Sequence, residues 1–100
     1  MEFIHAPKAC ASVGPYSHCV KAGSTYYLCG QVPFPPVTGE VVGNGMKEQA
    51  VQTLANMKAV LEAAGLTVTD IAKTTVFVTN MDDFAAFNEV YAAFMGEHRP

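Results

Sequence analysis

Apolar residues along this chain switch between a period of two and a period of about 3.6, and the switches predict its elements. The segments SHCVKA (17–22) and TYYLCGQ (25–31) are rich in Tyr, Val, Cys and Thr and flank Gly23-Ser24. They predict an antiparallel hairpin. From Met46 onward the pattern lengthens. Met46, Ala50, Leu54, Met57, Leu61 and Ala64 recur at three- and four-residue steps. That is the stripe of an amphipathic helix, with Gly65 placed to end it as a left-handed cap. The run KTTVFVTN (73–80) alternates again, with Val76 and Val78 on one side and Thr75, Phe77 and Thr79 on the other. It predicts a further strand. Asp82 or Asp83 can then cap a second helix with the stripe Phe84, Phe87, Tyr91 and Phe94 or Met95.

The expected order is strand, strand, helix, strand, helix, an α+β arrangement in a single domain spanning residues 1–100. Each helix has one apolar face, so both can lie on one side of the sheet. The other side still carries bulky groups from TYYLCGQ and TVFV, and a sheet face left so apolar predicts self-association, most simply about a rotation axis. Between hairpin and helix, PFPPVTGEVVGNG (33–45) holds too much Pro and Gly for a helix or central strand and predicts an ordered, meandering loop.

Composition narrows the class. Half of the residues are apolar and 15% are charged, a mixture that folds rather than one that stays disordered. The net charge is −3, and the six Lys and Arg are scattered, so the basic stripe of a nucleic-acid binder is missing. No stretch reaches the length of a membrane span, and MEFIHAPKAC lacks the charged and apolar regions of a signal peptide. The expected compartment is therefore cytoplasmic and reducing. Cys10, Cys19 and Cys29, an odd set without C-x-x-C, read as free thiols.

The candidate chemistry is sparse. His5, His18 and His98 share no ligand spacing with each other or with the cysteines, which argues against a metal. Cys29 ends a strand beside Gly30, yet no helix N-terminus stands near to lower its pKa, so it reads as a pocket-lining thiol rather than a nucleophile. Tyr16, in the turn GPYS (14–17), combines a rigid position with a polar tip, although such a tyrosine is more often ordinary packing. Asn88 falls on or beside the apolar stripe of the second helix, where its amide either bonds internally or lines a cleft. Gly30 lets a ligand approach the backbone, and donors exposed at a strand end suit a carboxylate.

Taken in order, A-P at 6–7, G-P-Y-S at 14–17, C-G-Q-V-P at 29–33 and T-G-E at 38–40 form a series. It continues with E-Q-A at 48–50, N-M-K-A-V-L-E-A-A-G at 56–65, K-T-T-V-F-V-T at 73–79 and N-E-V-Y at 88–91. The series resembles the reactive-intermediate deaminases, the RidA or YjgF-like family, from about Ala6 to the last residue. The resemblance implies a chorismate-mutase-like α+β fold with a mixed sheet and two helices on one face. It further implies a homotrimer with ligand clefts between subunits. The implied activity is cofactor-free hydrolysis of enamines and imines, such as 2-aminoacrylate, to a 2-keto acid and ammonia. It also implies that Tyr16 lines the cleft as the catalytic group, with Cys29, Gly30 and Asn88 bordering the substrate.

Two departures from the family pattern stand out. Cys29 occupies a position that is commonly Ser in the deaminating subgroup, and a thiol is the weaker hydrogen-bonding group. The family typically continues P-A-R after the second helix, its arginine clamping the substrate carboxylate, whereas this sequence reads E-H-R-P at 97–100. Arg99 precedes the proline and is expected to lie away from the pocket. The expectation is that this is a piece of a longer deaminase-like chain. The alternative is a non-catalytic trimeric member that binds small carboxylates or acts as a chaperone. Ribonuclease activity, known among relatives, fits poorly with the acidic balance.

Overall fold

A computed structural model describes residues 1–36 and 45–100. Three antiparallel strands form the sheet in the order β1 (Glu2–Ile4), β2 (Cys19–Ala22) and β3 (Thr25–Leu28). The expected hairpin is β2–β3. Its last pair is Ala22 with Thr25, leaving Gly23-Ser24 as a two-residue turn. Gly23 takes φ +63 while Ser24 stays at negative φ, the type II′ geometry that matches strand twist. The strand β1, in which Phe3 faces Val20, is an element that the hydrophobic pattern did not predict. Three residues are too few for a periodicity to show.

Register sorts the side chains into two faces. The row Ile4–Cys19–Leu28 points to the core, where Ile4, Leu28 and Tyr26 pack with buried Ala6, Ala9, Cys19 and Val60. The row Phe3–Val20–Tyr27 points the other way, and Phe3 and Tyr27 are exposed. The uncovered apolar face expected of the hairpin is therefore present.

Helix α1 (Met46–Ala63) lays Val60, Ala59 and Ala64 against the inner face. It ends as expected. Gly65 has φ +76, its N–H donates to the Glu62 carbonyl, and Leu66 N–H reaches back to Leu61 O at 2.8 Å. This pair of bonds is the Schellman motif, and it satisfies carbonyls that the helix leaves open. Helix α2 (Phe84–Met95) packs on α1, burying Phe87 and Met95. An ion pair between Lys47 and Glu89, 3.1 Å apart, also joins the helices, but both side chains are largely exposed and contribute little.

Three expectations need correction. Asp83 occupies the N-cap position of α2, but its side chain makes no capping bond. A 3-10 turn (Met81–Asp83) runs straight into it, so the free N–H groups belong to that turn, and Asn80 accepts the Asp82 N–H at 3.0 Å. Phe84, assigned to the buried stripe, is exposed, because it sits on the first turn before α2 meets α1.

The larger correction is KTTVFVTN, which is not a strand of the sheet. Among the described residues no backbone bond joins 72–79 to any other segment, and Phe77 is 91% exposed. Of the expected alternation only the last step is seen, with Val78 half-buried beside exposed Phe77, while Val76 is exposed as well. β-Branched residues favour an extended backbone, but a strand exists only where a second backbone pairs with it. The described sheet is accordingly antiparallel, not mixed. The expected loop over 33–45 lies largely outside the described residues, as does T-G-E at 38–40.

Candidate functional site

The hairpin brings three of the four candidate residues to one end of the sheet. Cys19 pairs with Leu28, and one step further Cys29 N–H donates to the His18 carbonyl at 3.0 Å. The chain entering β2, with Tyr16, and the chain leaving β3, with Cys29 and Gly30, therefore share that end. Asn88 is elsewhere, on α2, next to buried Phe87 and itself exposed. Its amide faces solvent, so no internal partner is required of it.

Tyr16 is set by its own turn. Its N–H donates to Gly14 O at 2.9 Å across Pro15, and its hydroxyl accepts a long bond of 3.4 Å from Val13 N–H. The ring leans on Gly14, where an added Cβ would lie 3.3 Å from Cε1. Tyr16 remains 45% exposed, a polar tip on a rigid turn as its sequence context suggested.

Cys29 is half-buried, and burial pushes its thiol above the usual range, with the Gln31 hydrogen bond pulling the other way. The Gln31 amide donates to Cys29 O at 3.0 Å and to its Sγ at 3.4 Å. A protonated, amide-bonded thiol is a poor nucleophile. Gly30 is exposed, and a Cβ there would meet nothing within 4 Å. Burial raises the Cys19 thiol likewise, with Cys29 the next cause.

Two residues behind this end escaped the sequence reading. Asn56 on α1 is 1% exposed and fully engaged. Its Nδ2 donates to Val32 O at 2.9 Å and Phe34 O at 2.8 Å, and its Oδ1 accepts from Gln52. It thus ties the segment after Gly30 to α1. The signal was its spacing: four residues from both Gln52 and Val60, an amide on the buried stripe. His18, weighed only as a metal ligand, is 6% exposed with both ring nitrogens occupied by backbone. Among the described residues, no three His, Cys, Asp or Glu gather as metal ligands. None of the helices there is long and apolar enough to cross a membrane.

Open cavities among the described residues include one on α1 and one beside His18. One, about 340 Å³, is lined by Lys47, Glu48, Val51 and Gln52 of α1. The other, about 410 Å³, is lined by His5, Ala6, Pro7, Ser12, His18 and Pro36 among others. Neither is lined by Tyr16, Cys29, Gly30 or Asn88. Arg99 is folded back on the end of α2, donating to Gly96 O and His98 O.

Comparison with known proteins places the chain. The family model described as endoribonuclease L-PSP matches residues 5–100. A RutC family protein of Pyrococcus horikoshii is 46% identical over 99 residues, covering 99% of this chain and 79% of the relative. The crystal structure of Escherichia coli TdcF with bound serine superposes with a TM-score of 0.90 at 44% identity, covering 98% of this chain and 76% of that one. TdcF is named, provisionally, a reactive intermediate deaminase. RidA from an Antarctic Psychrobacter superposes with a TM-score of 0.94 at 43% identity, over all of this chain and 80% of its own. The chain belongs to the RidA/YjgF family.

Proposed function

We propose that this protein hydrolyses reactive enamines and imines, such as 2-aminoacrylate, to a 2-keto acid and ammonia. The observation that supports this most is Tyr16 and the Cys29-Gly30 backbone at one end of a rigid hairpin, within a family that includes proteins named reactive intermediate deaminases. 2-Aminoacrylate tautomerises to an imine whose carbon, beside a carboxylate, becomes electrophilic on N-protonation. Water adds to that carbon, a proton passes to nitrogen, the C–N bond breaks, and ammonia leaves a 2-keto acid. Such chemistry asks the protein only to hold the anion and orient one water. In this reading Tyr16 Oη orients the reacting groups, the exposed Gly30 backbone approaches the anion, and Cys29 and Asn88 border it. No cofactor takes part.

The assembly belongs to the same proposal: a chorismate-mutase-like protomer in a homotrimer. Exposed Phe3 and Tyr27 on the outer sheet face would be covered by the next subunit, and clefts between subunits would enclose the residues that the single chain leaves open. The proposed working compartment is the cytoplasm, where pyridoxal-phosphate enzymes release such intermediates.

The test is the rate of ammonia and 2-keto acid release from 2-aminoacrylate generated in situ, with and without the protein. A rate no faster than spontaneous decay sinks the proposal. One observation favours a second reading, binding of small carboxylates without turnover: TdcF carries a bound serine. Thermal stabilisation by 2-oxobutanoate in a protein that does not speed the decay would select it.

A further inference from the structure

A single imidazole bridges the two sides of the turn that leads into the loop carrying Tyr16. Ala6-Pro7-Lys8-Ala9 is a β-turn, with Pro7 at its second position and Ala9 N–H bonded to Ala6 O at 3.0 Å. Ala6 and Ala9 are buried in the core beside Cys19 and Val60. His18 spans the two sides of this turn. Its Nδ1 lies 2.9 Å from Ala6 N, and its Nε2 lies 2.8 Å from Cys10 O.

A backbone N–H can only donate and a carbonyl can only accept, so the protonation state follows. Nδ1 must be a bare acceptor and Nε2 must carry the hydrogen. We propose that His18 is a positioning residue. As a neutral imidazole it latches the turn at Ala6–Cys10, and with it the loop bearing Tyr16; proton uptake at Nδ1 opens the latch.

The physical reason is a collision of donors. A proton on Nδ1 would point at the Ala6 N–H, which would lose its acceptor in a buried place. Among the described residues His5 packs against the ring and Cys10 meets it through its carbonyl, while Cys19 and Cys29 flank the His18 backbone and Glu2 on β1 lies near enough to act on the Cys19 thiol. Neither described bond of the ring is to a carboxylate that would hold an imidazolium in place. His5 stands edge-on with ring centroids 5.7 Å apart, so its own protonation adds only repulsion. Ala59 and Val60 of α1, with Ala64 at its C-cap, pack against Ala6, Ala9 and Cys19 and carry no charge. Only a ring with a bare Nδ1 can accept the Ala6 N–H, so the latch exists in that form alone.

The consequence for turnover rests on the proposed function; the latch does not. The test is hydrogen exchange of the Ala6 amide by NMR, as a protection factor, at about pH 8 and about pH 5, the interval in which histidines change charge. In the unaltered protein Ala6 protection should fall about tenfold or more in acid, while the Cys29 amide, bonded to a backbone carbonyl, holds. His18→Gln supplies one amide acceptor and one amide donor that do not titrate, and should keep Ala6 protected at both pH values. His18→Ala should lose protection at both. A flat Ala6 response in the unaltered protein, or imidazole nitrogen shifts showing hydrogen on Nδ1 near pH 8, overturns the latch. If Ala6 opens in acid as described and the protein never speeds 2-aminoacrylate decay, the latch stands and the proposed function falls.

Discussion

Asn56 donates its amide to the carbonyl of Val32, 2.9 Å away and 24 positions earlier in the chain. That bond, with its companion to Phe34, decides where the segment following Gly30 runs relative to α1. Asn56→Leu would keep the branched shape but strand two carbonyls and the Gln52 amide. The expected loss is about 2–3 kcal/mol of unfolding free energy, measured by urea denaturation. A neutral result would show that these carbonyls reach water without it.

Tyr16→Phe should leave the fold intact, because the hydroxyl makes only one long bond and the residue is exposed. Turnover of 2-aminoacrylate should fall about tenfold or more if the phenol orients the reacting groups. Equal rates for the two proteins would remove Tyr16 from the site.

Gly30→Ala offers a complementary probe. The new methyl meets nothing within 4 Å in the single chain, so the melting temperature should barely change. Ligand affinity should nevertheless drop if an anion sits against that backbone, which titration calorimetry with 2-oxobutanoate would read. Gly65→Ala is the contrast: φ +76 suits glycine, and the substitution should cost about 1 kcal/mol with no change in affinity.

Cys29→Ser replaces a weak hydrogen-bonding group by a stronger one. If the side chain helps to hold water or the substrate nitrogen, kcat/KM should rise by about fivefold, the equivalent of about 1 kcal/mol. The same variant tests a pH effect. Burial raises the Cys29 and Cys19 thiols, so the folded state keeps protons that the unfolded chain releases above about pH 8.5. Stability from this source is complete below that pH and is lost as pH rises through the raised folded values. Under reducing conditions, denaturation midpoints should fall between about pH 8 and about pH 10, and fall less in Cys29→Ser. An identical decline in both proteins would place the effect elsewhere.

Tyr27→Lys puts a charge in the exposed row with Phe3 and Val20 without removing a core contact. In a trimer closed through that face, sedimentation should show smaller species than the unaltered protein does. A protein already monomeric at micromolar concentration would contradict the assembly.

Local interactions made much of this molecule readable in advance. The hairpin follows from Gly23-Ser24 between two β-rich runs, and α1 from a regular stripe ended by Gly65, because each is decided by residues within a few positions of one another. The position of Tyr16 on a turn and of Gly30 at a strand end follows for the same reason, and the order of short motifs carries the family. Contacts between distant segments carried no such mark. Whether 73–79 pairs depends on a second backbone, and its own alternation supplies only the extended shape. Asn56 reaches back 24 residues and His18 reaches back 12 to Ala6, each satisfying backbone groups that no periodicity reveals. Burial makes those bonds obligatory, and burial is settled only when the chain has folded.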